Sequence, residues 1–178
     1  MNDSTIGDLW INTLICPLAQ LKLYFSWYML VKRIYLDNCA FNRPFDDQRQ
    51  IRIRLESEAK LYIQEKIRQQ KIELVWSYIL DFENEQNPFI ERKRAIEKWK
   101  NFAALDVEES HNLLMMANSL IKEGIRPKDA LHVASALEGK ANYFLTTDDK
   151  IIKKLSNFTQ IKVINPINMV EIIDEYND

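Results

Sequence analysis

The sequence predicts an α/β fold: a mostly parallel sheet with helices over both faces. Three observations carry this prediction. Short apolar runs of strand type alternate with longer stretches of helical period. The connections between the runs are too long for hairpins. Nearly half of the 178 residues are hydrophobic (47%), enough for a full core.

VKRIYLD (31–37) opens the pattern as a buried strand ending in an acid, and Asn42, Arg43 and Pro44 mark a break after it. From about 48 to 70 the period lengthens. Ile51, Leu55, Ala59, Ile63 and Ile67 recur every four residues, the apolar face of a long helix. IELVW (72–76) is the second strand. Ser77 is placed to cap a helix that runs to Asn87 and stops before Pro88. ERKRAIEKWK (91–100) reads as a charged helix, and FAALDV (102–107) as a short strand or a connector. Residues 108–123 are helical, with Gly124 as their stop. Pro127 opens the alanine-rich helix PKDALHVASALEG, whose Ala130 and Ala134 leave room for a close neighbour. ANYFLTT (141–147), DDKIIKKL, IKVI (161–164) and PINMVEIIDEY give strand, helix, strand and helix.

Residues 9–31 form the most apolar stretch. The preceding MNDSTIGD has no basic residue, unlike a signal peptide. Three readings stay open: a membrane span, a helix or loop packed on the domain, or translation that starts at Met29. Lys22 near mid-span counts against the first, at a cost of roughly 3 kcal/mol. All three put residues 1–30 outside a core domain of residues 31–178.

Composition excludes several classes. With three glycines and no GxGxxG or GxxxxGK[ST] pattern, the common nucleotide-binding loops are missing. The two cysteines, Cys16 and Cys39, make no CxxC pair, which argues against structural zinc and suits a reducing, cytoplasmic setting. Net charge is −2, so any nucleic-acid contact must come from a local patch.

Four acids carry the chemical argument. In an open parallel sheet, sites form beyond the carboxyl ends of the strands. Asp37 ends the first strand, and Asp148 comes after YFLTT. Asp129 lies in the first turn of its helix, and Glu83 two turns into the helix after the second strand. Converging carboxylates repel each other unless a cation holds them. An all-oxygen donor set selects Mg²⁺ or Mn²⁺. Each acid also has a bland reading: an Asx-turn for Asp37, a helix-dipole contact for Asp129, an N-cap for Asp148 and a solvated face for Glu83. His111 and His132 lack a nucleophile partner, and His132 reads as a packed or surface residue.

The segments RIYLDNCAFNRPFDD, WSYILDFENEQNP and PKDALHVASALEGKANYFLTTDDKIIKK resemble the PIN-domain family over roughly residues 31–170. That resemblance implies a three-layer α/β/α sandwich and an Mg²⁺- or Mn²⁺-dependent ribonuclease. Asp37, Glu83, Asp129 and Asp148 match the family's acids, Glu83 by its count of six from Ser77. Asp37, Asp129 and Asp148 would hold the metal, with Asn38, Thr147 and Asp149 supporting them. Asp81 and Glu85 rival Glu83, although Asp81 should face away. Many bacterial members are toxins of VapBC-type pairs and many dimerise, so an antitoxin and a second copy join RNA as implied partners.

For RNA, Arg43 to Lys71 holds eight Lys/Arg against five Asp/Glu. Arg43 and Arg49 are nearest in sequence to Asp37 and rank first as phosphate contacts. An inactive PIN-like module that binds RNA or protein is the main alternative. A phosphatase of the haloacid-dehalogenase type is disfavoured, since it needs an aspartate where this chain has Cys39.

Overall fold

The structure is a computed structural model that describes residues 32–174. The apolar N-terminal stretch, Cys16 and the alternative start at Met29 lie outside the described residues. The described residues fall within one compact unit.

Five parallel strands form one sheet: β1 (Lys32–Leu36), β2 (Ile72–Ser77), β3 (Ala103–Val107), β4 (Tyr143–Leu145) and β5 (Lys162–Ile164). Their order is β3-β2-β1-β4-β5. FAALDV is therefore a true edge strand, registered on β2 through Trp76↔Asp106 and Ser77↔Val107. The helices are α1 (Asn38–Asn42), α2 (Ile51–Arg68), α3 (Tyr78–Glu85), α4 (Ile90–Glu97), α5 (His111–Lys122), α6 (Pro127–Glu138), α7 (Asp149–Lys154) and α8 (Pro166–Asp174). Helices cover both faces of the sheet, with α5 packed on α6 and α2 on α8. This is the expected three-layer α/β/α sandwich.

The core explains the strand sequences. Ile34, Tyr35, Leu36, Leu74, Val75, Trp76, Phe144 and Leu145 have no exposed surface, as strands covered on both faces require. Gly124 comes after α5 at φ +83°, where the Ile125 N–H reaches back to the Leu120 carbonyl at 3.0 Å. Gly139 serves a different purpose. A Cβ there would lie 2.5 Å from Val75 Cγ1, so its bare backbone lets the end of α6 approach β2.

The long helix departs from its four-residue pattern. Ile51 and Leu55 are exposed, whereas Glu56, Lys60 and Gln64 are buried beside Ala59, Ile63 and Ile67. Buried Glu56 meets Arg43 at 2.6 Å and Arg52 at 2.9 Å, and the Asn165 amide donates to it at 2.7 Å. A periodicity count that scores only apolar residues cannot see a helix face whose first turns are buried through ion pairs.

Candidate active site

The strand order reverses beside β1. The chain moves from β1 to β2 and β3 on one side, then returns to place β4 on the other. The gap between the carboxyl ends of β1 and β4 is thus the switch point of the sheet, the usual ligand position in open α/β folds. Asp37 and Asp148 flank that gap. The Asp37 N–H donates to the Leu145 carbonyl at 2.9 Å, which ties the end of β1 to the end of β4.

Asp37 is buried, with 7% of its surface exposed. It occupies the N-cap of α1, where its backbone carbonyl accepts from Ala40 and Phe41, but its carboxylate caps nothing. The Asx-turn reading therefore fails for this residue. Its Oδ2 accepts instead from the Thr146 hydroxyl at 2.7 Å and from the Cys39 thiol at 3.0 Å. Thr146 Oγ1 in turn accepts the Asp148 N–H at 3.1 Å, so one buried hydroxyl aligns two acids. Asp148 does cap α7, its Oδ1 accepting from the Lys150 N–H at 2.8 Å. That leaves its Oδ2 to face the cluster.

Arg126 occupies that cluster. Its Nε donates to Asp129 Oδ2 and its Nη2 to Asp148 Oδ2, both at 2.6 Å. Burial is the main reason the Asp129 carboxyl sits above its ordinary range. Arg126 opposes the shift, while the charges of Asp37 and Asp148 add to it. Asp129 thus feels both other aspartates, and the arginine offsets only part of its shift.

Glu83 enters from α3. Its Oε2 lies 3.0 Å from His132 Nε2 and its Oε1 lies 3.3 Å from Lys128 Nζ, both on α6 with Asp129. Burial alone would raise this carboxyl, but His132 and then Lys128 bring it down from 4.5 to about 2. Its sequence rivals point elsewhere. Asp81 accepts from the Trp76 indole at 2.8 Å and from Lys100 at 2.7 Å, and Glu85 is exposed.

The supporting residues rearrange the expectation. Thr146, rather than Thr147, carries the hydroxyl that touches the acids; the Thr147 N–H meets Cys39 Sγ at 3.4 Å. Asn38 is tied to Asn42 at 3.0 Å and Asp149 to Arg52 at 2.5 Å, so neither bonds a site carboxylate. Burial pushes the Cys39 thiol up, away from thiolate reactivity. The candidate phosphate contacts are also engaged. Arg43 pairs with Asp46 and the buried Glu56, and Arg49 pairs with Asp47 at 2.8 Å. Trp99 is buried against Phe102, as core packing requires.

Sequence reasoning missed Arg126 altogether and read His132 as a packed or surface residue. Arg126 lies three residues before Asp129, on the approach to α6, and that spacing was the available signal.

A PIN-domain family model matches residues 34–156. The chain belongs to the PIN-domain family. Proteins of this family are generally nucleases and typically use divalent metals. No curated protein matches the chain. Among solved structures, the chain is similar to VapBC-1 from nontypeable Haemophilus influenzae, with 20% identity over 75% of this chain and 98% of that one and a TM-score of 0.47.

The PIN site accords in part with a bound divalent cation. Among the described residues no three His, Cys, Asp or Glu side chains are already gathered to hold an ion. The donor set is nevertheless all carboxylate oxygen, and a guanidinium stands in as the positive charge between Asp129 and Asp148. That chemistry fits a hard cation, provided Arg126 yields its place. Among the described residues no helix is long and apolar enough to cross a membrane.

Proposed function

We propose that this PIN-domain protein is a metal-dependent endoribonuclease whose cation, Mg²⁺ or Mn²⁺, is held by Asp37, Asp129 and Asp148. The observation that carries the reading is the Arg126 bridge. A positive charge already sits 2.6 Å from two of the three aspartates, and the charge of the buried third, Asp37, acts on Asp129. A bound divalent ion would activate water and stabilise in-line attack on a phosphodiester. The protein's own groups supply the rest. Thr146 fixes the Asp37 carboxylate, and the Lys150 N–H fixes that of Asp148. Glu83, held ionised, accepts a hydrogen bond from the attacking water and orients it.

The RNA backbone would approach along a shallow groove of about 190 Å³ that includes Arg126, Asp129, Lys150 and Lys154. Among the described residues its Lys150 and Lys154 pair with no carboxylate, whereas Arg126, Arg43 and Arg49 are occupied by neighbouring carboxylates. Residues 31–178 form the nuclease domain in this reading, with residues 1–30 outside it. Toxin activity, an antitoxin partner and a homodimer rest on the family alone, and a cytoplasmic location on the two isolated cysteines. A small upstream gene for a DNA-binding protein would support the toxin assignment.

The test is cleavage of single-stranded RNA with Mg²⁺ or Mn²⁺ and with chelator. Wild type should cut only with the ion, and Asp37→Asn, Asp129→Asn or Asp148→Asn should each lose about 100-fold or more. Undiminished cleavage by Asp37→Asn would overturn the assignment. A second reading, a PIN fold that binds RNA without cutting it, is favoured by Arg126, which already neutralises Asp129 and Asp148. RNA binding without cleavage at any metal concentration would establish it.

A further inference from the structure

We infer that His132 is a positioning residue: a buried imidazole whose Nε2–H holds the Glu83 carboxylate in the site, with its other edge locked by Tyr35 and Ser77. The inference rests on the nuclease reading only for its activity arm.

The geometry is a line of three short hydrogen bonds. Glu83 Oε2 lies 3.0 Å from His132 Nε2. His132 Nδ1 lies 2.7 Å from the Tyr35 hydroxyl, which lies 2.7 Å from Ser77 Oγ. Tyr35 and Ser77 have no exposed surface and His132 is 2% exposed, so water does not compete for these bonds. The line joins β1, the end of β2, α3 and α6. It reaches the site at both ends of its scaffold, since Asp37 lies two residues after Tyr35 and Asp129 precedes His132 by one helical turn.

Donor logic sets the direction. An ionised carboxylate only accepts, so Nε2 must carry the proton. In the neutral imidazole Nδ1 is then bare and accepts from Tyr35 O–H, while Ser77 O–H donates to the Tyr35 oxygen. In the charged imidazole the two outer bonds reverse, and Nε2 still donates to Glu83. In the neutral state every polar atom of the line is satisfied.

Ser77 gives an independent sign that the line is built. It stands at the N-cap of α3, yet its hydroxyl makes no cap bond. A serine in that position ordinarily bonds a first-turn N–H. Here the hydroxyl turns inward to Tyr35 instead. Tyr35 is also held flat against Phe144, with ring centroids 5.4 Å apart and planes 8° apart, so its hydroxyl is aimed by packing. The other Glu83 contact, Lys128, has a side chain 56% exposed and cannot fix the carboxylate in the same way.

The decisive experiment pairs imidazole nitrogen NMR with kinetics. The chain has two histidines, so a ¹⁵N-histidine sample of the full-length protein gives a simple spectrum, assigned with His111→Gln. The His132 Nε2 should carry a slowly exchanging proton, and Tyr35→Phe should shift the Nδ1 resonance as that nitrogen loses its hydrogen bond. An unprotonated Nε2, or a spectrum unchanged by Tyr35→Phe, overturns the inference whether or not the protein cuts RNA. In the activity arm, His132→Leu should lower kcat about 10- to 100-fold with KM for RNA little changed. His132→Gln, which keeps a donor near the same place, should recover most of it. Equal activity in His132→Leu and wild type, or no recovery in His132→Gln, also overturns it. Absence of RNA cleavage by wild type would remove the nuclease reading and leave the NMR result to decide this one.

Discussion

The Thr146 hydroxyl donates to the Asp37 carboxylate at 2.7 Å across 109 residues of sequence, and the bond is fully buried. It joins the first strand of the sheet to the loop after the fourth, at the point where the strand order reverses. Removing the hydroxyl while keeping the shape should therefore loosen two acids at once. Thr146→Val should lower RNA cleavage roughly 10-fold and destabilise the fold by about 1–3 kcal/mol, because Asp37 loses a donor and the Asp148 N–H its acceptor. Thr146→Ser should restore both. Urea denaturation and single-turnover cleavage check the pair, and a fully active Thr146→Val would show that Asp37 needs no such support.

Arg126 and a divalent cation would compete for the same carboxylates. With its side chain 63% exposed, the arginine should contribute little to the metal-free fold, under about 1 kcal/mol. Arg126→Ala should consequently bind Mn²⁺ several-fold more tightly than wild type and gain more thermal stability from it. Titration calorimetry or Mn²⁺ resonance measures the difference. Unchanged Mn²⁺ affinity would mean that the ion sits elsewhere.

The phosphate track should lie on the α6–α7 side. Lys150→Ala combined with Lys154→Ala should weaken RNA binding and reduce the slope of log affinity against log salt by about 1–2. Arg49→Ala should change neither, because Arg49 is engaged by Asp47 at the surface. Fluorescence anisotropy over a salt series separates these outcomes, and a larger effect from Arg49→Ala would move the track to the other side.

Lys60 carries a pH signature of its own. It is buried on α2 near Phe41 and Trp99, and burial, with Arg68 adding to it, brings its ammonium down to about 7. The folded state thus releases this proton more readily than the unfolded chain. Between about pH 7 and 10.5 the unfolded state binds more protons, so this group makes stability rise with pH across that window. Below pH 7 its burial penalty is fully present. Lys60→Met should stabilise the protein by roughly 1–3 kcal/mol at pH 7 and flatten the rise. Denaturation curves of both proteins from pH 6 to about 10 test the sign, and a destabilised Lys60→Met would show that the ring contacts outweigh desolvation.

The sequence by itself determined the sheet, its helices and the positions of the acids. Strand-type runs and helical periods are local, and an acid at the end of a strand is placed by the strand. Asp37 and Asp148 were legible for that reason, and Asp129 through the Pro and Ala pattern of its helix. Tertiary structure alone decided what each acid bonds. Thr146 and Thr147 are adjacent and chemically identical, and the Thr146 N–H bond to the Ile164 carbonyl at 3.1 Å, just past β4, helps set which of them faces the acids. Arg43 gains its buried partner Glu56 only when the chain folds, whereas Asp46 and Asp47 lie within three residues of Arg43 and Arg49 as local signals. His132 gains its meaning from Tyr35 and Glu83, residues 97 and 49 positions away, and such hydrogen-bonded lines leave no periodic trace in a sequence. The long helix is the same lesson in packing, since Ile51 and Leu55 fit the period yet face solvent while Glu56 is buried against Arg43 and Arg52. Local periodicity reports which face can be apolar. Only long-range contacts decide which polar groups are satisfied, and therefore which of them are held in place to act.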